Sequence, residues 1–147
     1  MLELKFSILG TPTGKGRVRF FNGHAVTPKT TRNYEAQVKY EASHALEHMV
    51  VRPDHHAPCS VKIIAFYEIP KSYTKKKKEL IASHGSDVVR PGKPDLDNII
   101  KSVLDGMNSI VFHDDVQVIK LTAEKQWCLG DELPRVEVRV SWNEQEE

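Results

Sequence analysis

Five of the eight aspartates in this chain fall between Asp95 and Asp115, and the same stretch contains no glutamate. Aspartate is the poorer helix former of the two acids, so its choice here calls for a reason other than helix solubility. Magnesium supplies one, because it takes hard oxygen ligands at ~2.1 Å in octahedral geometry and short carboxylates offer them. Asp95 and Asp97 flank Leu96, and in extended backbone their side chains would point to the same side. Lys101 follows Asp97 by one helical turn, ~6 Å along an axis, close enough to serve the same phosphate. Asp105 lies ~12 Å from Asp97 on that axis and reads as a supporting residue. The pair Asp114-Asp115 follows. Taken singly, these aspartates have plainer readings: a helix N-cap explains Asp95 or Asp97, and a turn explains Asp114-Asp115. Neither reading explains the combination.

These residues need a scaffold, and the hydrophobic pattern predicts one. Leu2, Leu4, Phe6 and Ile8 alternate with polar residues, the pattern of a strand with one buried face. Gly10-Thr11-Pro12-Thr13-Gly14-Lys15-Gly16 breaks it, and a second strand over Val18 to Phe21 turns at Asn22-Gly23. From Thr27-Pro28 to Met49, apolar residues recur at helical spacing. Ser60 to Ile69 reads as a central strand, and Thr74 to Ala82 as a short charged helix. Ser83 to Pro94 reads as a loop or an exposed strand with breaks. Asp97 to Met107 is an amphipathic helix with Ile99, Ile100, Val103, Leu104 and Met107 on one face. Val116 to Trp127 and Val136 to Trp142 are the last strands, and residues 143–147 a frayed tail. With no repeat and no linker, residues 1–147 form one small α+β domain, a mixed sheet packed by helices.

Composition narrows the class further. The 147 residues are 39% apolar and 28% charged, which fits one folded domain and excludes wholesale disorder. No run of 18 apolar residues is present, excluding a helical membrane span, and the first residues show no secretory signal. Cys59 and Cys128 are too few and too far apart for a zinc site or disulfide framework, and read as reduced core residues of a cytosolic protein. The net charge of +1 conceals an asymmetry. Residues 1–40 carry seven basic side chains against two acidic, whereas residues 124–147 carry seven acidic against three basic. Such a division permits a polyanion-binding face on a nearly neutral protein. Gly14-Lys15-Gly16-Arg17 lacks the spacing of a nucleotide-binding P-loop and reads as a basic loop suited to a polyanion. Lys75 to Lys78 reads as a solvated helix face ahead of a polyanion contact, Phe20 and Phe21 as packing residues of a core or dimer ahead of a wedging or stacking pair, and His55-His56 as a surface turn.

The segments Pro94-Asp95-Leu96-Asp97-Asn98-Ile99-Ile100-Lys101, Leu104-Asp105-Gly106-Met107-Asn108 and Asp114-Asp115-Val116-Gln117-Val118 together resemble the RusA-type Holliday junction resolvases, small magnesium-dependent DNA endonucleases of bacteria and their phages. Gly14 to Arg19 and Thr27 to Tyr34 are similar to the basic loop of many members, so the resemblance covers most of the chain. It implies metal ligation by Asp95, Asp97 and Asp115, with Asp114 adjacent as an alternative ligand, and a catalytic role for Lys101. It also implies Mg2+ as cofactor with Mn2+ as a substitute, phosphate contacts from Lys15, Arg17, Arg19, Lys29, Arg32 and Lys93, and a homodimer acting on four-way junctions by paired nicks. A cytoplasmic, nucleoid-associated protein, bacterial or phage-encoded, follows from the same comparison. Two other readings stay open: a metal-dependent nuclease of other branched or single-stranded nucleic acids, and a non-catalytic junction-binding protein.

Overall fold

The computed structural model describes residues 1–16 and 19–143, with Arg19 by its backbone alone. Two expected phosphate contacts, Arg17 and the side chain of Arg19, therefore lie outside the described residues, as do Val18 and residues 144–147 of the tail. Strands β1 (Leu2–Leu9), β2 (Arg19–Phe21) and β3 (His24–Val26) precede helix α1 (Lys29–Glu47). Then come β4 (Cys59–Tyr67), helices α2 (Lys75–His84) and α3 (Leu96–Met107), and strands β5 (Val118–Trp127) and β6 (Arg135–Trp142). Single 3₁₀ turns occur at Gly85–Asp87 and Asp115–Gln117.

Four strands form the main sheet in the order β1-β6-β4-β5. β6 runs antiparallel to both β1 and β4, whereas β4 and β5 are parallel. A parallel pair needs a long crossover, and α2 and α3 are that crossover. The expected α+β domain with a mixed sheet is what forms. Alternation sorts the strands into two faces. Leu4, Phe6, Ile8, Val61, Ile63, Ala65, Val136, Val138 and Val140 are buried beneath the helices. Lys5, Lys62 and Arg139 stand exposed on the opposite face, where Glu3 pairs with Lys5 at 3.1 Å and with Arg139 at 3.3 Å.

α1 and α3 cover the buried face with Tyr34, Val38 and Ala42 from one and Ile99, Val103 and Met107 from the other. They approach closely at Gly106, where a Cβ would stand 2.6 Å from Val38 Cβ and Cγ1. A larger residue there would drive the helices apart. Cys59 and Cys128 are buried free thiols, and burial pushes the Cys59 thiol up to about 11. Among the described residues no helix is long and apolar enough to cross a membrane.

β2 and β3 form a separate two-stranded hairpin, turning through Asn22 (φ 51°) and Gly23 (φ 78°). Asn-Gly suits such a turn because both residues accept positive φ. Of the two placements expected, core or dimer, Phe20 and Phe21 do not take the core. They are 78% and 70% exposed, because this hairpin is not part of the sheet that the helices cover.

Candidate active site

α3 begins one residue earlier than its pattern suggests, at Leu96, with Asp95 as the N-cap. The extended Asp-Leu-Asp geometry expected from the sequence is therefore replaced. Asp95 has extended dihedrals (φ −65°, ψ 149°), and Asp97 lies in the first helical turn. An N-cap aspartate normally accepts a bond from the helix N–H groups, yet the Asp95 side chain makes no such bond. Its carboxylate is exposed and available to something else. Tyr67, at the end of β4, donates from its hydroxyl to the Pro94 carbonyl at 2.8 Å and so fixes the residue before Asp95. Burial, and then the negative charge of Asp95, hold the Tyr67 phenol well above its ordinary pKa, so it stays a donor.

Downstream, Asp97, Lys101 and Asp105 recur every four residues along one side of α3. Lys101 is exposed and pairs with Asp105 at 3.5 Å. Asp105 is also held by Lys15 at 3.0 Å, and Lys15 reaches Glu35 of α1 at 2.6 Å. Burial alone would lower the Lys15 pKa, but the two carboxylates outweigh it and the ammonium is stabilised. Lys15 is thus enclosed between two acids rather than presented to solvent. The same loop is fastened to α3 through its backbone. Lys15 N–H donates to the Asn98 carbonyl (2.9 Å), and the buried Ser102 hydroxyl donates to the Thr13 carbonyl (2.9 Å). Gly14 is required at the contact, since a Cβ there would meet Asn98 Cβ and Pro94 Cβ at 2.9 Å. Between this loop and the start of α3 lies a shallow groove of about 440 Å³ lined by Thr13, Gly14, Lys93, Asp95 and Asn98.

Asp114 and Asp115 open the 3₁₀ turn before β5. Asp114 and Gln117 form a reciprocal capping box, and the Gln117 side-chain amide donates to the carbonyls of His55 and Ala57, each at 2.9 Å. Asp115 N–H donates to Asn108 Oδ1 at 3.0 Å, which ties this turn to the end of α3. Partial burial, then a hydrogen bond with Asp114 and its like charge, raise the Asp115 pKa. Lys101 opposes that shift and Asp105 adds to it, so Asp115 lies within electrostatic reach of the α3 side chains.

Asp95, Asp97 and Asp115 are not gathered into one cage: among the described residues no three His, Cys, Asp or Glu side chains are arranged to hold an ion. Magnesium does not need such a cage, because it keeps several waters and binds through one or two carboxylates plus substrate phosphate. The donor chemistry fits it. Asp114 and Asp115 form a hydrogen-bonded pair of acids, and Asp95 offers an uncommitted carboxylate. Lys29, Arg32 and Lys93 are exposed, as phosphate contacts require. His55, His56 and His113 gather with ring centroids 4.8 to 6.0 Å apart beside Asp114. Sequence reasoning missed Glu35, Tyr67 and Ser102. Only Ser102 left a trace there, as a polar residue on the apolar side of α3.

Comparison with known proteins places the chain in a family. Residues 10–141 match the family described as Endodeoxyribonuclease RusA. The chain is also 34% identical over 144 residues to "Uncharacterized protein YqaN" of Bacillus subtilis (strain 168), a match covering 93% of this chain and 94% of that protein. The chain belongs to the RusA endodeoxyribonuclease family, and the activity this family implies is hydrolysis of DNA at internal phosphodiester bonds.

Proposed function

We propose that this protein is a magnesium-dependent endonuclease that resolves four-way DNA junctions by paired nicks as a homodimer. The observation that carries the reading is how the acids sit around α3: Asp115 N–H is tied to Asn108 at the helix end (3.0 Å), Lys101 pairs with Asp105 along the helix (3.5 Å), and the N-terminal Asp95 carboxylate is uncommitted. Asp95, Asp97 and Asp115, with Asp114 adjacent, would hold Mg2+. Bound there, the ion would supply a water of lowered pKa and neutralise charge on the phosphate. Lys101 supplies a positive charge toward the scissile phosphate, where charge accumulates as the bond breaks. Asp105 steers the Lys101 ammonium from one turn away. Lys15, enclosed by Glu35 and Asp105, acts as a strut between the loop and α3, leaving phosphate contacts to Lys29, Arg32 and Lys93, together with Arg17 and Arg19. Among the described residues no serine or cysteine is paired with a histidine base, which supports direct attack by water over a covalent intermediate.

The test is gel analysis of end-labelled four-way, three-way and linear duplex DNA with and without Mg2+. The expected result is symmetric nicking of the four-way junction only when the metal is present. Equal nicking of linear duplex at matched salt would replace the resolvase reading with a general nuclease, and metal-independent junction binding without cleavage would favour a non-catalytic binder.

A further inference from the structure

Phe20 and Phe21 are two of the most exposed large apolar residues in the chain, on the β2–β3 hairpin, outside the main sheet. Consecutive strand residues point to opposite sides, so each face of the ribbon presents one ring. Phe20 lies opposite Ala25 and Phe21 opposite His24, and every residue of β3 is exposed. A two-stranded hairpin is marginally stable in water, and two bare aromatic rings do nothing for it until something covers them.

Charge identifies the kind of partner. From Leu4 to Tyr34 the sequence contains no acidic residue and six lysines and arginines. A protein surface rich in carboxylates would suit that charge but offers no reason for paired flat rings. Branched or single-stranded DNA offers both a polyanionic backbone and bases with an uncovered face. The position of the hairpin agrees. The loop that leads into it is bonded to α3 through Thr13 and Lys15, and the Gly16 N–H donates to Thr31 Oγ1 at 2.9 Å. A cleavage site on α3 and a stacking element would thus share one anchored loop.

We propose that the β2–β3 hairpin is a base-stacking element, with Phe20 and Phe21 covering nucleobases exposed where DNA strands branch. The inference rests on the DNA-cleaving reading above and adds how branched DNA is told from continuous duplex. The rings contribute where bases are unstacked and little where they are not.

The experiment places 2-aminopurine at the centre of a four-way junction and titrates it with protein in EDTA, so that binding is read without cleavage. The wild-type protein should raise the fluorescence as the central base leaves its neighbours. F20A/F21A should bind the junction at least about 5-fold more weakly. At saturation it should give no rise, while binding linear duplex within about 2-fold of wild type. F20W/F21W should restore both signals, whereas F20L/F21L, apolar but not flat, should not. Wild-type protein that binds no DNA would overturn the DNA reading and this inference together. A variant that binds and unstacks like wild type would overturn the inference alone. So would F20A/F21A that turns a dimer into a monomer without DNA, because the rings would then be packing against a second copy.

Discussion

Asp115 has the unusual position of an acid beside two others, with its partial burial and the neighbouring Asp114 both raising its pKa. The sign of the consequence follows. In the unfolded chain Asp115 ionises near its ordinary value of 3.8. In the folded chain it does so at higher pH, so ionisation disfavours the fold as pH rises through that interval. Asp115→Asn removes the charge and keeps a group able to donate to Asp114. Without divalent metal the variant should melt higher than wild type at pH 7, and the difference should shrink to nothing as pH falls below about 3.8, where Asp115 is neutral in the folded and the unfolded chain alike. Junction cleavage by the same variant should be lost. Thermal melting across pH in EDTA, paired with cleavage assays in Mg2+, checks both halves. An Asp115→Asn protein that melts lower at pH 7 would mean that this carboxylate supports the fold instead of serving a site.

α3 carries Asp97, Lys101 and Asp105 on one side and Gly106 on another, so its seating on α1 governs where the functional groups stand. A Cβ at Gly106 would be 2.6 Å from Val38. Gly106→Ala gains ~1 kcal/mol of helix propensity but forces buried, close-packed helices apart, a change that costs roughly 1–3 kcal/mol. The variant should melt a few degrees lower, and its cleavage rate should fall further than stability alone explains, because Lys101 moves with α3 whereas Gln117 holds the Asp115 turn to His55 and Ala57. Gly106→Ser should be worse than Gly106→Ala. Cleavage compared at a temperature where both proteins are fully folded separates the two effects. Local pattern made most of these elements legible: α3 itself, the alternation of β1 and β6, and the Asn22-Gly23 hairpin are all written in neighbouring residues. The start of α3 was not, because an aspartate serves equally as an extended residue and as an N-cap, and the choice depends on Tyr67 holding the Pro94 carbonyl. Val116 and Gln117, read from the sequence as the start of the strand, belong instead to the 3₁₀ turn Asp115–Gln117, which depends likewise on distant carbonyls at His55 and Ala57. The aspartates and Lys101 stood out by type and spacing. Lys15 gave no sign of its ion pairs, since Glu35 and Asp105 reach it only through tertiary packing.

At the scale of the whole molecule, a net charge of +1 has to be reconciled with a polyanionic substrate, and the division of charge along the chain does so. The basic side chains near the site are not equivalent. Lys29, Arg32 and Lys93 are exposed, whereas Lys15 is enclosed between two carboxylates, with 24% of its side chain exposed. An exposed lysine or arginine that neutralises a phosphate releases a counterion, and each such contact adds about 0.9 to the slope of log affinity against log salt on duplex DNA. Replacing Lys29, Arg32 and Lys93 by alanine together should therefore flatten the slope by up to ~2.7 while leaving thermal stability nearly unchanged. Lys15→Met should do the reverse. It leaves Glu35 and Asp105 facing one another without their cation, which costs about 1–2 kcal/mol, between the values for exposed and buried ion pairs. The slope should stay as it was. Filter binding of a junction across a salt series, with melting curves for the same two proteins, distinguishes strut from phosphate ligand. A Lys15→Met protein of unchanged stability and a slope lower by about 0.9 would place Lys15 on the DNA and make its ion pairs a feature of the free protein only.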